Sequence, residues 1–381
     1  MSPLRSSLAR TVGKLFGVSK DVDLSLRGNL QSSRKIVPPL ATGGTVTQPG
    51  DGYVYHTFIV SVSSPYPDVT PNTSETFKTG PVARTCDYLI VAGGGAGGHS
   101  PTSQTTGGSG GAGSVIYKTG VTLTASTTYP VTVGKGGEVG TSGSAAGADQ
   151  DGDDSVFNSL TAGGGGAGGR GAGNGDSGRN GGCGGGGGAG YPADARGGGS
   201  AVGGVSPHPG SGTDLASPDD GWGMAGGGGA GTSNNTSSGG GGGGIAGAGT
   251  PGNSDYPPGS AGGDGGVGAS YTINGTAKNI GGGAHAGSYN VAGRSGNAIL
   301  YGGGHQESDP WNSALSSVGG AVGDAIPLIY PADQPRYQGL DGTGGGGQGG
   351  ARGTRLNGGS NTNTSARGGC GLVQIRYVKP S

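Results

Sequence analysis

The chain has 381 residues, 100 of them glycine, with 22 lysines and arginines against 23 aspartates and glutamates and a formal charge of −1. That balance argues against general nucleic-acid binding, and two methionines with four phenylalanines leave too little for a conventional core throughout. No apolar run approaches the ~18 residues of a membrane span, a strict Gly-X-Y period is absent so collagen is excluded, and neither Cys-x-x-Cys nor a zinc spacing occurs.

Residues 1–40 stand apart. They carry Arg5, Arg10, Lys14, Lys20, Arg27, Arg34 and Lys35 against Asp21 and Asp23. Leu8, Val12, Leu15 and Phe16 fall on one face of a helix, with Ser2 suited to its cap and Pro3 to its first turn. Residues 21–27 (DVDLSLR) then alternate as a strand does. A targeting peptide and a membrane-surface helix are two readings of this stretch. The preferred one is an attachment arm, because so short a segment cannot bury its apolar face alone and needs a partner protein.

Residues 41–162 read as ordinary β structure. Strands are expected at 53–62, 75–79, 87–92, 114–118, 121–124, 128–133 and 155–162, with Pro130 marking an edge or bulged strand. The strands at 87–92 and 155–162 run straight into glycine. A further strand, 371–378, closes the chain. Cys86 and Cys370 each precede an apolar strand and are expected near one another; Cys183 lies inside a glycine run, and no disulfide framework is expected.

The glycine runs at 93–98, 163–190, 226–231, 239–244, 281–283, 302–304 and 344–350 are short and broken by single alanines. An extended helix of three residues per turn has no internal hydrogen bonds, so its amides and carbonyls point sideways. Such helices pack side by side only where no Cβ intervenes, and buried backbone groups must find partners. The expectation is therefore an all-β chain: a β-sandwich (41–162 plus 371–381) with an inserted polyglycine-II helix bundle (163–370), and a short N-terminal helical arm (1–40). The intervening segments are thrown out as loops at the bundle's two ends.

Little in the chain looks catalytic. Gly163, Gly165 and Gly168 match a dinucleotide fingerprint, but glycine is too abundant for that to count and no helix can follow. Asp149, Asp151 and Asp153 alternate as hard oxygen ligands for Ca²⁺ would; the alternative is a solvated acidic turn before a strand. His305, Glu307, Asp309 and Trp311 cluster without a rigid element to hold them. Aromatic and polar loops on a rigid frame make recognition surfaces, so Tyr191, Trp222, Tyr256, His305, Trp311 and Tyr337 are candidate receptor contacts. The competing role for each aromatic is to cap the bundle.

CDYLIVAGGGAGG (86–98), TYPVTVGKGG (128–137), SVFNSLTAGGGGAGG (155–169) and GLVQIRY (371–377) resemble the glycine-rich tail-fibre and structural proteins of phages, marine cyanophages in particular. LFGVSKDVDLSLRGNLQSSRK (15–35) is similar to their virion-attachment ends. The likeness covers most of the chain. The receptor-binding adhesins at the fibre tips of T-even phages resemble it in their stacked polyglycine helices, and the glycine-rich region of anaplastic lymphoma kinase receptors in having a glycine insertion in a jelly-roll-like domain. This chain has no kinase or transmembrane part, so the receptor likeness stops at layout. The resemblance implies a virion structural protein on the phage tail or particle surface. It implies no enzyme activity, no cofactor, no nucleic acid and no membrane insertion. Leu8, Val12, Leu15 and Phe16 would attach it to other virion proteins. The loops would meet a host surface glycan or outer-membrane protein, and the assembly would be a homotrimer. A capsid or tail decoration without receptor binding is the alternative. No residue-level receptor site carries over, because the loops share no motif.

Overall fold

Strands form where β-branched and aromatic residues alternate, and here one sheet uses both of its faces. The computed structural model describes residues 40–60, 73–100, 105–139, 150–171, 175–190, 223–232, 236–253, 262–272, 277–286, 339, 341–349 and 365–380. Within these the chain is all-β, in antiparallel sheets with almost no helix. Strands β1 (Thr45–Thr47), β2 (Tyr53–Ile59), β4 (Arg84–Val91), β5 (Val115–Leu123) and β13 (Leu372–Val378) make a five-stranded sheet in the order β1-β2-β13-β4-β5. Strands β3 (Thr73–Lys78), β6 (Thr128–Val133), β7 (Ser155–Phe157) and β8 (Leu160–Ala162) make a four-stranded sheet in the order β3-β6-β7-β8. Two hairpins complete the set: β9 (Ala230–Thr232) with β10 (Thr236–Ser238), and β11 (Ala269–Thr272) with β12 (Ala277–Ile280).

The last strand is the central one. Leu372 pairs with Ile59 on one side and Val91 on the other, and the registers run on to Tyr377. Side-chain alternation then sorts each strand's residues between two cores. Val54, Phe58, Tyr88, Ile90, Val373 and Ile375 share one apolar cluster with Phe77, Val131, Val133 and Phe157 of the four-stranded sheet. Phe157 meets Tyr88 edge-on at 5.0 Å and Phe77 at 6.1 Å, and burying a ring this completely stabilises by roughly 2–3 kcal/mol. The opposite face carries Leu89, Val91, Val115 and Leu372, packed with Cys183, Ile245, Tyr271 and Ile280 from the glycine-rich region. That second core is why 87–92 reads as continuously apolar.

Polar groups inside the first core are paired. His56 is fully buried; one ring nitrogen lies 2.7 Å from the Gly43 carbonyl and the other 3.3 Å from the Tyr377 hydroxyl. That hydroxyl also accepts the Ala41 amide at 3.0 Å. A neutral ring protonated at Nδ1 satisfies the whole chain of bonds.

Four local expectations change. The stretch 155–162 is not one strand but a tight hairpin: Asn158 and Ser159 have φ of 49° and 62°, the left-handed pair that a two-residue type I′ turn demands. The stretches 114–118 and 121–124 are one strand, β5, with a register irregularity opposite Cys86 and Tyr88; Asp87 steadies it by accepting the Gly120 amide at 2.9 Å. Strand β6 is internal, not an edge. Pro130 is tolerated because β7 reaches only Val131 and Thr132. Cys86 pairs across from Tyr377 while Cys370 precedes Leu372, so the two thiols sit towards opposite ends of β13.

Leu40–Lys379 form one compact unit. Residue 162 does not bound the glycine network within it: 93–98 and 107–113, on the N-terminal side, bond directly to glycines on the other. The physical reason is that β4 and β5 feed glycine runs just as β8 does.

Candidate functional site

The frame built by the glycine runs starts where strands end. Residues 92–98 continue β4, and their amides donate in a rotation of three. Ala92, Gly95 and Gly98 reach the carbonyls of Ser114, Gly111 and Gly108; Gly93 and Ala96 reach Asp153 and Gln150; Gly94 and Gly97 reach Gly369 and Ala366. The carbonyls rotate likewise. Gly93, Ala96 and His99 accept from Gly165, Gly168 and Gly171, while Gly94 accepts from Gly137 and Gly95 from Gly347. One segment thus has six neighbours, at 2.8–3.1 Å. Residues 107–114, 163–171 and 183–189 repeat the pattern, with parallel and antiparallel neighbours mixed.

Glycine is needed here for space. A Cβ at Gly95 would stand 2.2 Å from the Gly166 oxygen, one at Gly97 1.9 Å from that of Gln348, and one at Gly110 2.0 Å from that of Gly95. None of these three has a left-handed φ, so any residue could adopt the backbone and none but glycine fits the packing.

Where the frame meets solvent, side chains replace the missing neighbour. Asp154 accepts the Gly164 amide and Asp151 the Ala167 amide, both at 2.9 Å. Two carboxylates three residues apart match two amides three residues apart. Arg179 clamps both Asp151 oxygens at 2.8 and 2.9 Å. Asp341 holds Arg367 through two bonds of 3.0 and 2.8 Å and accepts the Cys370 amide at 2.9 Å, which fixes the turn into 344–349.

Register gives the frame two ends. Ala92, Ser114, Gly163 and Gly371 adjoin the strands, and Gly182 is level with them. At the other end Gly98 meets Gly108, Gly171 meets His99, Thr106 meets Ala189, Ala366 meets Gln348 and Ala286 meets Gly263. The described segments therefore break off and resume at this strand-distal end around 101–104, 172–174, 254–261 and 350–364, whereas the chain leaves the distal end after Ala286 and is next described at Gly339, level with Gly345 and Gly369 near the strands. The expectation of loops at both ends becomes, for these, a single end. On the far side of the sheets, Ala41 meets Tyr377 and Lys379 donates to Gly52 at 2.7 Å, so the chain's entry and exit share the opposite pole.

The sequence-derived site residues fall unevenly on this frame. Leu8, Val12, Leu15, Phe16, Tyr191, Trp222, Tyr256, His305, Trp311 and Tyr337 lie outside the described residues, as does Asp149. Gly190, before Tyr191, is at the distal end, whereas Gly223, after Trp222, is level with Gly182 at the strand end. Asp151 is committed to Arg179 and a backbone amide, and Asp153 lends its backbone carbonyl to Gly93. Among the described residues no group of three or more His, Cys, Asp or Glu is arranged to hold a metal ion. The role of Asp151 and Asp154 as edge caps was missed, though the spacing of three, shared with the run that follows, was there to be read. Cys86, Cys183 and Cys370 are buried free thiols, each pushed up to about 12 by burial. No described helix is long and apolar enough to cross a membrane.

A family described as a glycine-rich domain matches residues 70–378. No curated protein matches the chain.

Proposed function

This chain belongs to the glycine-rich domain family, and we propose that it is a non-enzymatic phage virion protein, a tail fibre or adhesin that contacts the host surface. The two sheets act as a sandwich that bears a bundle of polyglycine-II helices. Residues 1–40 attach the protein to other virion proteins, and the segments at the strand-distal end meet a host glycan or outer-membrane protein. The observation that carries this reading is the two-pole layout: residues 41 and 379 at one end, the breaks at 101–104, 172–174, 254–261 and 350–364 gathered at the other, and a cross-linked frame between. The period of three in the frame's hydrogen bonds supports the helix assignment. Rigid scaffolds with variable connections at one end are a recurring design for recognition.

The test exchanges residues 287–338 for the same stretch of a related chain and follows adsorption to host cells. A change of host preference, with the frame's amide protection intact, is the expected result. Unchanged adsorption would favour a capsid or tail decoration. Removing residues 1–35 is expected to leave a folded body that no longer enters particles.

A further inference from the structure

Along the frame, neighbouring segments bond mainly in one direction, one segment donating and the other accepting; the Thr106–Ala189 bridge bonds both ways, and next to the strands Gly182 donates to Gly164 and Gly344 to Cys370 against the direction of the bonds beside them. A full set of neighbours therefore fills three donor faces and three acceptor faces. Residues 182–189 fill their donor faces: Cys183 and Gly186 donate to Ala112 and Ser109, Gly184 and Gly187 to Met224 and Gly227, Gly185 and Gly188 to Arg179 and Asp176. Two acceptor faces are also filled, Cys183 and Gly186 by Gly166 and Gly169, and Gly184 and Gly187 by Gly243 and Gly240. The third is open. The carbonyls of Gly182, Gly185 and Gly188 accept from none of the described residues.

These three carbonyls are spaced by one turn and belong to buried residues. They lie between two walls. A Cβ on Gly178 would stand 2.0 Å from the Gly185 oxygen and one on Gly226 2.2 Å from the same atom, while Gly223 and Gly229 flank Gly182 and Gly188. The result is a groove one segment wide, floored by acceptors and lined by glycine. Leaving a buried acceptor unpaired costs about 1–3 kcal/mol, and contacts from Cα–H groups offset only part of that.

We propose that this groove is a docking site for a side-chain-poor strand that donates three amides at a spacing of three, and that the strand is residues 197–204 of the same chain. The ends of the described chain carry the argument. Gly190 is at the distal end and Gly223 at the strand end, so residues 191–222 connect opposite ends of the frame. A segment matching 182–189 spans about 22 Å at ~3.1 Å per residue. Within 191–222, GGGSAVGG at 197–204 has the required length, is rich in glycine and contains no proline; the stretch after it carries Pro207 and Pro209, which have no amide to give. Docked there, it runs antiparallel to 182–189 and completes their sixth neighbour. Tyr191 then stays at the distal pole and Trp222 at the strand pole, which removes Trp222 from a host-facing surface.

Residue-resolved amide exchange on the full chain tests the docking. Three amides within 197–204 are expected to exchange at least ~100-fold more slowly than in a free peptide, independently of protein concentration. Exchange at the free-peptide rate overturns the proposal. Protection that appears only with concentration, together with doubled mass, assigns the groove to a second copy and also overturns it. Gly197→Val, Gly198→Val and Gly199→Val, made one at a time, present a side chain to each face of the turn. At least one of the three is expected to lose that protection tenfold or more while the Phe157 core stays folded. Three neutral variants would refute the docking.

Discussion

Asp151 and Arg179 meet at the lateral edge of the glycine frame, the guanidinium Nε 2.8 and 2.9 Å from the two carboxylate oxygens. The same carboxylate accepts the Ala167 amide at 2.9 Å, so it stands where a neighbouring carbonyl would be. An acidic motif that resembles a cation site is occupied with closing the edge of a backbone lattice.

Separating the two duties of Asp151 is the first expectation. Asp151→Asn keeps an acceptor for Ala167 and loses only a partly exposed ion pair, so it should cost under ~1 kcal/mol. Asp151→Ala also orphans the amide and should cost about 1–3 kcal/mol. Urea denaturation of both variants checks the order. Added Ca²⁺ should leave the melting temperature of the native chain unchanged.

Glycines should divide into two kinds. Gly95→Ala places a Cβ 2.2 Å from the Gly166 oxygen, a backbone atom that cannot swing aside, and overpacking of that kind costs ~1–3 kcal/mol or more. Gly50 has nothing within 4 Å but a φ of +101°, so Gly50→Ala should cost only the backbone strain, ~1–2 kcal/mol. Amide exchange distinguishes them further: the first variant should expose residues 163–169, the second should leave them protected.

Acid should destabilise the sheet core through His56. Burial holds its pKa below the ordinary value of 6.5, while in the unfolded chain it titrates near ~6.5. The unfolded state then binds more protons as pH falls through 6.5, so the contribution is complete above that pH and is lost below it. His56→Asn retains a donor towards Gly43 and should flatten the slope of stability against pH between 5 and 7.

The three thiols should report separate openings. Native protein should resist alkylation at neutral pH, because each thiol is buried and its pKa is near 12 and the thiolate is the reactive form. Cys183 lies in the frame and Cys86 in the sheet. With rising urea, earlier labelling of Cys183 would mark a frame that opens before the sheet; simultaneous labelling would mark one cooperative unit.

Much of the sheet was legible from residues alone. Alternation and β-branched content located β2, β4, β6 and β13, because those signals are local. The Asn158–Ser159 hairpin was not read as such, since the turn is shorter than the strand pattern around it. Nor was the interior position of β6, because how far β7 extends along it decides whether Pro130 is harmful. The candidate contacts Tyr191, Tyr256, His305, Trp311 and Tyr337 were chosen from composition and lie outside the described residues, so only the positions of their flanks bear on them.

Composition by itself determined that a large part of this chain lacks side chains to bury and must be held by its main chain. Which run lies beside which was decided only in three dimensions. Glycine runs are nearly interchangeable in sequence, so their order carries no local code. Strands β4, β5, β8 and β13 set the level of the runs they join, and the bonding of amides to carbonyls then fixes the neighbours of the rest.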